Sequence, residues 1–117
     1  MTIDEEIIAN PILREVCQLL TTPYQKEMLS TQTAKGIAKY PNTVSVDDYS
    51  IIGWIDHNVQ KLIDSTVYYK ALKKKIEADI ELPKWKYYMW LIDRGINSNI
   101  DNLNDLEFIR NLYLGGE

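Results

Sequence analysis

Several residue types are scarce in this 117-residue chain, and each scarcity removes a class of function. Cys17 is the only cysteine. No internal disulfide and no cysteine-based metal centre can therefore be assembled. Its neighbours Val16, Leu19 and Leu20 suit a buried, inert thiol better than a nucleophile. His57 is the only histidine, which excludes multi-histidine metal sites and histidine pairs. No stretch approaches the roughly 20 apolar residues that a bilayer-spanning helix needs. The acidic start, Met1-Thr2-Ile3-Asp4-Glu5-Glu6, has the wrong character for a secretory signal. A cytoplasmic protein without a membrane partner is expected. Basic charge is also in deficit, with 13 Lys and Arg against 17 Asp and Glu and a formal net charge of −4. A dedicated DNA-binding role relies on a basic footprint and is not expected. The one basic run, Lys70 with Lys73-Lys74-Lys75, is followed by Glu77, Asp79 and Glu81, and reads as a solvated helix end.

Strand signals are absent too: there is no hairpin dipeptide between apolar runs and no internal repeat. Helix signals, in contrast, recur along the chain. Thr2 and Glu5 have the spacing of a capping box. Asn10-Pro11 and Thr22-Pro23 each place a capping side chain before a first-turn proline. Tyr40-Pro41 closes the third helix, expected from about Tyr24 to Lys39, because the residue before proline is pushed out of the α region. Within that helix Ser30-Thr31-Gln32-Thr33 is odd for a buried segment and suits a wet cleft. A long helix is expected from about Ser50 to Ile80, with a bend or break in the lysine run. Its apolar residues Ile51, Ile55, Val59, Leu62, Ile63 and Val67, extended by Ala71, Leu72, Ile76 and Ile80, recur at three- and four-residue steps. Leu82-Pro83 marks a boundary. A shorter helix from Trp85 stops at Arg94-Gly95, and a last one is capped by Asp101 or Asn102 and ends at Gly115-Gly116. The expected fold is an all-α helical bundle of four to six helices in one domain, with a core over residues 1–81 and a two-helix C-terminal extension over 82–117.

The chemistry-bearing segment runs from Lys35 to Tyr69. It reads Lys35-Gly36-Ile37-Ala38-Lys39-Tyr40, a loop, then Trp54, His57, Gln60-Lys61, Asp64 and Tyr68. This resembles the phage MazG-like family, part of the all-α nucleotide pyrophosphohydrolases, whose pattern is roughly KG-x-x-KYG, a short loop, then W-x-x-H-x-x-EE-x-x-D-x-x-x-Y. The match covers about a third of the chain and is specific because several uncommon residue types agree at fixed spacing. The resemblance implies a MazG-like bundle, a phage or prophage source and hence a host-cell cytoplasm. It also implies self-assembly as a homodimer or tetramer, and a nucleotide ligand held through Mg²⁺ by carboxylates of two antiparallel helices. Magnesium is a hard cation that takes oxygen ligands and neutralises phosphate charge.

The paired glutamates of that pattern fall on Gln60 and Lys61, and only Asp64 keeps its acid. On the preceding helix Glu27 is the sole carboxylate between Tyr24 and Lys39. No metal or other cofactor is therefore expected, and no catalytic residue is assigned. An ammonium at Lys61 lies about one turn from Asp64, where it can pair with the carboxylate and replace the missing cation. At 100° per residue His57, Lys61, Asp64 and Tyr68 form one stripe with Gln60 beside it, opposite the apolar centre. The stripe is either a degenerate nucleotide surface or the solvated face of an amphipathic helix.

Three readings of function follow. In the first, a non-catalytic relative binds a nucleotide or nucleotide-derived ligand through Glu27, Lys35, Lys39, His57, Gln60, Lys61, Asp64 and Tyr68. In the second, the bundle is an interaction module, for example a phage factor that binds a host protein. The cluster Trp85-Lys86-Tyr87-Tyr88-Met89-Trp90 favours it, because Trp85, Tyr87, Tyr88 and Trp90 are of the types enriched at contact surfaces. The third is an active, Mg²⁺-dependent nucleoside triphosphate pyrophosphohydrolase with unusual ligands.

Overall fold

In a computed structural model the described residues are 2–40, 42–79 and 81–115. They form five α-helices and one 3-10 turn, with no strand among them. The protein is all-α, as the sequence suggests. The chain divides into two compact units, 1–48 and 49–117. The expected subdivision at 81/82 falls instead inside the second unit, between its two helices.

The first unit holds α1 (Ile3–Ala9), α2 (Pro11–Leu19) and α3 (Pro23–Lys39), followed by a 3-10 turn at Val46–Asp48. Its helix starts use the capping chemistry written in the sequence. Glu5 N donates to Thr2 Oγ1 at 3.1 Å and Thr2 N to Glu5 Oε2 at 3.4 Å, completing the capping box. Asn10 Oδ1 accepts from the backbone N–H groups of Ile12 and Leu13, while its Nδ2 donates to Thr43 Oγ1 and, at 2.7 Å, to the carbonyl of Val44. One side chain thus starts α2 and ties down the loop that follows α3. The core here is small: α1 packs on α2 and α3 with Ile7 as its buried apolar residue. Thr33 is also buried, and its hydroxyl has no hydrogen-bond partner among the described residues. Cys17, expected to be buried, is half-buried.

The second unit is a helical hairpin of α4 (Ile51–Glu77) and α5 (Trp85–Tyr113), each about 40 Å long at 1.5 Å per residue. Two expectations are corrected here. The lysine run does not break α4, and the two C-terminal helices are one continuous α5 with Gly95 and Asp101 in its interior. The end expected for α4 at Ile80 lies outside the described residues, as does the stop at Gly116; Gly115 follows α5 with φ 85°.

The pattern of burial explains the continuity. On α4 the buried and half-buried positions include Ile55, Val59, Leu62, Thr66, Tyr69, Lys73 and Ile76. On α5 they include Met89, Ile92, Ile96, Asn99, Leu103, Leu106 and Arg110. Both series alternate steps of three and four residues, the seam of a coiled coil. Contacts between the helices fix an antiparallel register: Arg110 Nε to Asp56 at 3.0 Å, Asn99 Nδ2 to Ser65 Oγ at 3.0 Å and Thr66 Oγ1 at 3.2 Å, and Lys73 Nζ to Asp93 at 2.9 Å. In each pair one residue number rises as the other falls. The seam keeps Ile55, Val59, Leu62 and Ile76 of the apolar stripe expected from the sequence but not the rest of it. Ile51, Ile63, Val67, Ala71 and Leu72 are exposed, and Thr66, Tyr69 and Lys73 take seam positions.

Lys73 is thus not part of a plainly solvated helix end. Its hydrogen bond to Asp93 holds the ammonium above its ordinary pKa of 10.5; attraction from Asp93 and Glu77 adds to this and partial burial subtracts. A raised folded value means that the pair's contribution is fully present below the unfolded lysine pKa and is lost as the pH rises through the folded one. Hairpin stability is expected to carry this contribution unchanged from neutral pH to about pH 10 and then decline. In Lys73→Met that alkaline limb should flatten, as read by urea melts at stepped pH; an unchanged limb would refute the assignment.

Candidate functional site

Each unit holds its own share of the expected ligand residues. Glu27, Lys35 and Lys39 are exposed on α3 of the first unit. His57, Gln60, Lys61, Asp64 and Tyr68 lie on α4 of the second. Within α4, His57, Lys61, Asp64 and Tyr68 share the face opposite the seam, as the 100° step requires. Lys61, Asp64, Tyr68 and Gln60 are exposed and His57 is half-buried. The expected Lys61–Asp64 ion pair does not form; the ion pairs among the described residues are Lys73–Asp93 and Arg110–Asp56. Both charged heads of the stripe remain open to a ligand.

His57 is held more firmly than a surface histidine. Its ring stacks on Tyr49, with centroids 5.1 Å apart and planes at 24°, and lies edge-on to Trp54 at 6.3 Å. Tyr49 and Trp54 pack edge to face at 4.8 Å. The local sequence builds this cluster. Ser50 caps α4, its hydroxyl accepting from Gly53 N at 3.0 Å. Tyr49 therefore stands at the position before the cap and Trp54 at the fourth of the helix, the spacing of a hydrophobic staple. Gly53 makes room for it, because a Cβ there would meet Tyr49 Cβ at 3.0 Å. Tyr49 was not among the sequence candidates, although the staple spacing was there to be read.

The α4 stripe by itself offers Mg²⁺ a single carboxylate. Among the described residues no three of His, Cys, Asp and Glu stand close enough to hold a metal. Asp64 is the only acid on the α4 stripe, and Lys61, one turn away, opposes a cation. The face instead offers an ammonium, an imidazole, a carboxylate and a phenol. The first two can meet an anionic oxygen, while Asp64 can accept from a hydroxyl or an amide N–H.

The aromatic residues of the C-terminal segment separate. Trp85, placed among the interface candidates, is a half-buried seam residue beside the α4–α5 turn, and Tyr88 is exposed. Tyr87 and Trp90 stand on the outer face of α5, each 54% exposed, with rings stacked at 5.9 Å and 24°. The guanidinium of Arg94 lies 4.9 Å from the centre of the Trp90 ring. Three side chains of the types that dominate binding hot spots therefore form one exposed ladder. No helix of the described residues is long and apolar enough to cross a membrane.

Comparisons with family models, with curated proteins and with solved structures find no match.

Proposed function

We propose that this chain is a non-catalytic, phage-type MazG-like protein that binds a nucleotide or nucleotide-derived ligand through the outward face of α4. The observation that carries the reading is the stripe itself. His57 is steadied by Tyr49 and Trp54, and Lys61 and Asp64 are left without ion-pair partners on the same face. The family register supports the same residues, and Lys61 supplies in place the positive charge that Mg²⁺ would otherwise bring to phosphate.

A thermal-shift series with nucleoside mono-, di- and triphosphates, each with and without Mg²⁺, tests this. Binding at 100 times Kd adds about 2.7 kcal/mol of stability, a clear rise in Tm. The rise is expected to be independent of Mg²⁺ and to be lost in Lys61→Ala. Stabilisation that requires Mg²⁺, accompanied by pyrophosphate release, would favour the hydrolase reading instead.

A second reading, an interaction module that engages another protein such as a host factor, is favoured by the Tyr87–Trp90–Arg94 ladder. It predicts no nucleotide shift, and it gives Lys61→Ala no effect on the protein's interactions.

A further inference from the structure

Charge is not spread evenly along the chain. Residues 70–94 hold seven of the 13 Lys and Arg against four Asp and Glu, a net +3, and the remaining residues carry −7. Lys73, in the seam, is paired with Asp93. The cations on the outer face of α5 are not paired in this way. Lys86, Trp90 and Arg94 follow at four-residue steps, one ridge of the helix, with Tyr87 stacked on Trp90 beside it. Both Lys86 and Arg94 are exposed, and neither takes part in an ion pair among the described residues. No acid stands three or four residues from either one on α5, where it could pair along the helix.

We infer that this ridge docks a short acidic segment of a partner protein, with carboxylates on Lys86 and Arg94 and an apolar side chain on Trp90 and Tyr87 between them. It rests on the second reading, the interaction module, and gives the partner a chemistry. Eight residues at 1.5 Å each separate Lys86 from Arg94 by about 12 Å along the helix axis. An extended chain spans about 13 Å between residues four apart, and its residues two apart share a face. The segment that matches therefore carries acid, apolar residue and acid at alternate positions. The Arg94 guanidinium rests 4.9 Å from the centre of the Trp90 ring, and its planar fork can take a carboxylate through two N–H groups. With Tyr87, Trp90 and Arg94 already stacked on one another, little side-chain freedom is lost on binding.

A long polyanion fits this face less well. About 10 Å beyond Arg94 the same face of α5 carries Asp101, and one turn further Asp105, both exposed. Neither acid takes part in an ion pair among the described residues. A nucleic-acid strand or an anionic bilayer lying along α5 would meet these carboxylates, and two cations neutralise too few phosphates for firm binding. A basic segment would be repelled by Lys86 and Arg94. Charge complementarity thus selects a segment that is acidic, short and confined to the first three turns of α5.

NMR of the full chain tests it. The indole N–H resonance of Trp90 is identified by its loss in Trp90→Phe, and that of Trp54 serves as an internal reference. The probe is a blocked peptide with aspartate, leucine and aspartate at alternate positions. Its titration is expected to move the Trp90 resonance saturably and to leave that of Trp54 in place. Arg94→Glu should raise the peptide Kd by about tenfold or more. A peptide with lysines in place of the aspartates should leave Trp90 unmoved in the starting chain but should move it in Lys86→Glu/Arg94→Glu. A ladder that only stabilises α5 would not exchange its preference in this way, and circular dichroism confirms that the variants keep their helices. Two results overturn the acidic partner and leave the ladder as an interaction surface. One is tighter binding of the lysine peptide by the starting chain; the other is a Trp90 shift with oligothymidylate or phosphatidylserine vesicles but not with the aspartate peptide. No movement of Trp90 with any probe overturns the proposal and the second reading with it.

Discussion

Ile96→Ala is expected to lower the stability of the hairpin by about 2–4 kcal/mol, the usual cost of truncating a buried isoleucine. The reason lies in how few side chains hold α4 to α5. Of the described large apolar residues in this unit, Ile55, Ile92 and Ile96 are the buried ones, at 7%, 6% and 9% exposure. In the seam Ile96 has Ile92 on one side, but Asn99 on the other and Thr66 and Tyr69 on α4 are not aliphatic. A domain of this size has a total stability of only about 3–10 kcal/mol, so losing one of three anchors is expected to bring it close to unfolding. Ile109→Ala is the control, because Ile109 is 50% exposed and sits outside the seam; its cost should stay below about 1 kcal/mol. Tryptophan fluorescence reads the hairpin selectively, since Trp54, Trp85 and Trp90, the chain's three tryptophans, all belong to the second unit. Equal losses in the two variants, measured by urea titration, would mean that the seam is placed wrongly.

The starts of α1 to α4 were legible because each is written in a few adjacent residues. Thr2, Asn10, Thr22 and Ser50 all cap helices in the structure. The hairpin seam was not, because the sequence reading followed apolar residues alone. Ile63, Val67 and Leu72 drew the stripe to one side of α4, whereas the contact face carries Thr66, Tyr69 and Lys73. Those residues enter the seam only because partners stand across from them: Asn99 for Thr66, Gly95 for Tyr69 and Asp93 for Lys73. That information lies 20 to 33 residues away in the chain and is invisible to a local period. The same omission split α5. Gly95 looked like a helix stop and Asp101 or Asn102 like a new start, yet the glycine serves a close approach and Asn99, between them, is buried on the hydroxyls of Ser65 and Thr66.

For the candidate site, the sequence showed which residues share a face of α4 and which acids are missing from it. It did not show that His57 is wedged by Tyr49, or that Lys61 stands apart from Asp64. The staple depends on the chain direction just before α4, and the ion pair on rotamers that compete with solvation. An exposed pair of this kind gains at most about 1 kcal/mol, too little for spacing alone to decide. The polar seam also bears on how the hairpin keeps one register. Three weak hydrophobic anchors would permit the helices to slide by a heptad, but a slip would strand Asn99 away from its hydroxyl partners and Lys73 away from Asp93. Polar residues within a seam are known to fix alignment at some cost in stability.

Gly95→Val is expected to destabilise the hairpin by about 2 kcal/mol, although valine is the better helix former by roughly half a kcal/mol. A Cβ built at Gly95 would lie 2.6 Å from Cζ and 2.7 Å from the hydroxyl oxygen of Tyr69. Tyr69 is a half-buried seam residue, so displacing the end of its ring costs packing in the seam. Valine adds two methyl groups to that collision. If this is the source of the cost, shrinking the opposing residue removes it. Tyr69→Ala alone should destabilise the hairpin through lost packing, but in that background Gly95→Val should cost less than about 0.5 kcal/mol, leaving a coupling of about 1–2 kcal/mol between the two positions. Gly95→Ala should fall between, because its gain of about 1 kcal/mol in helix propensity offsets much of a smaller clash. Strictly additive effects at 69 and 95 would show that the two residues do not meet, and with that the antiparallel register of α4 and α5 would be wrong.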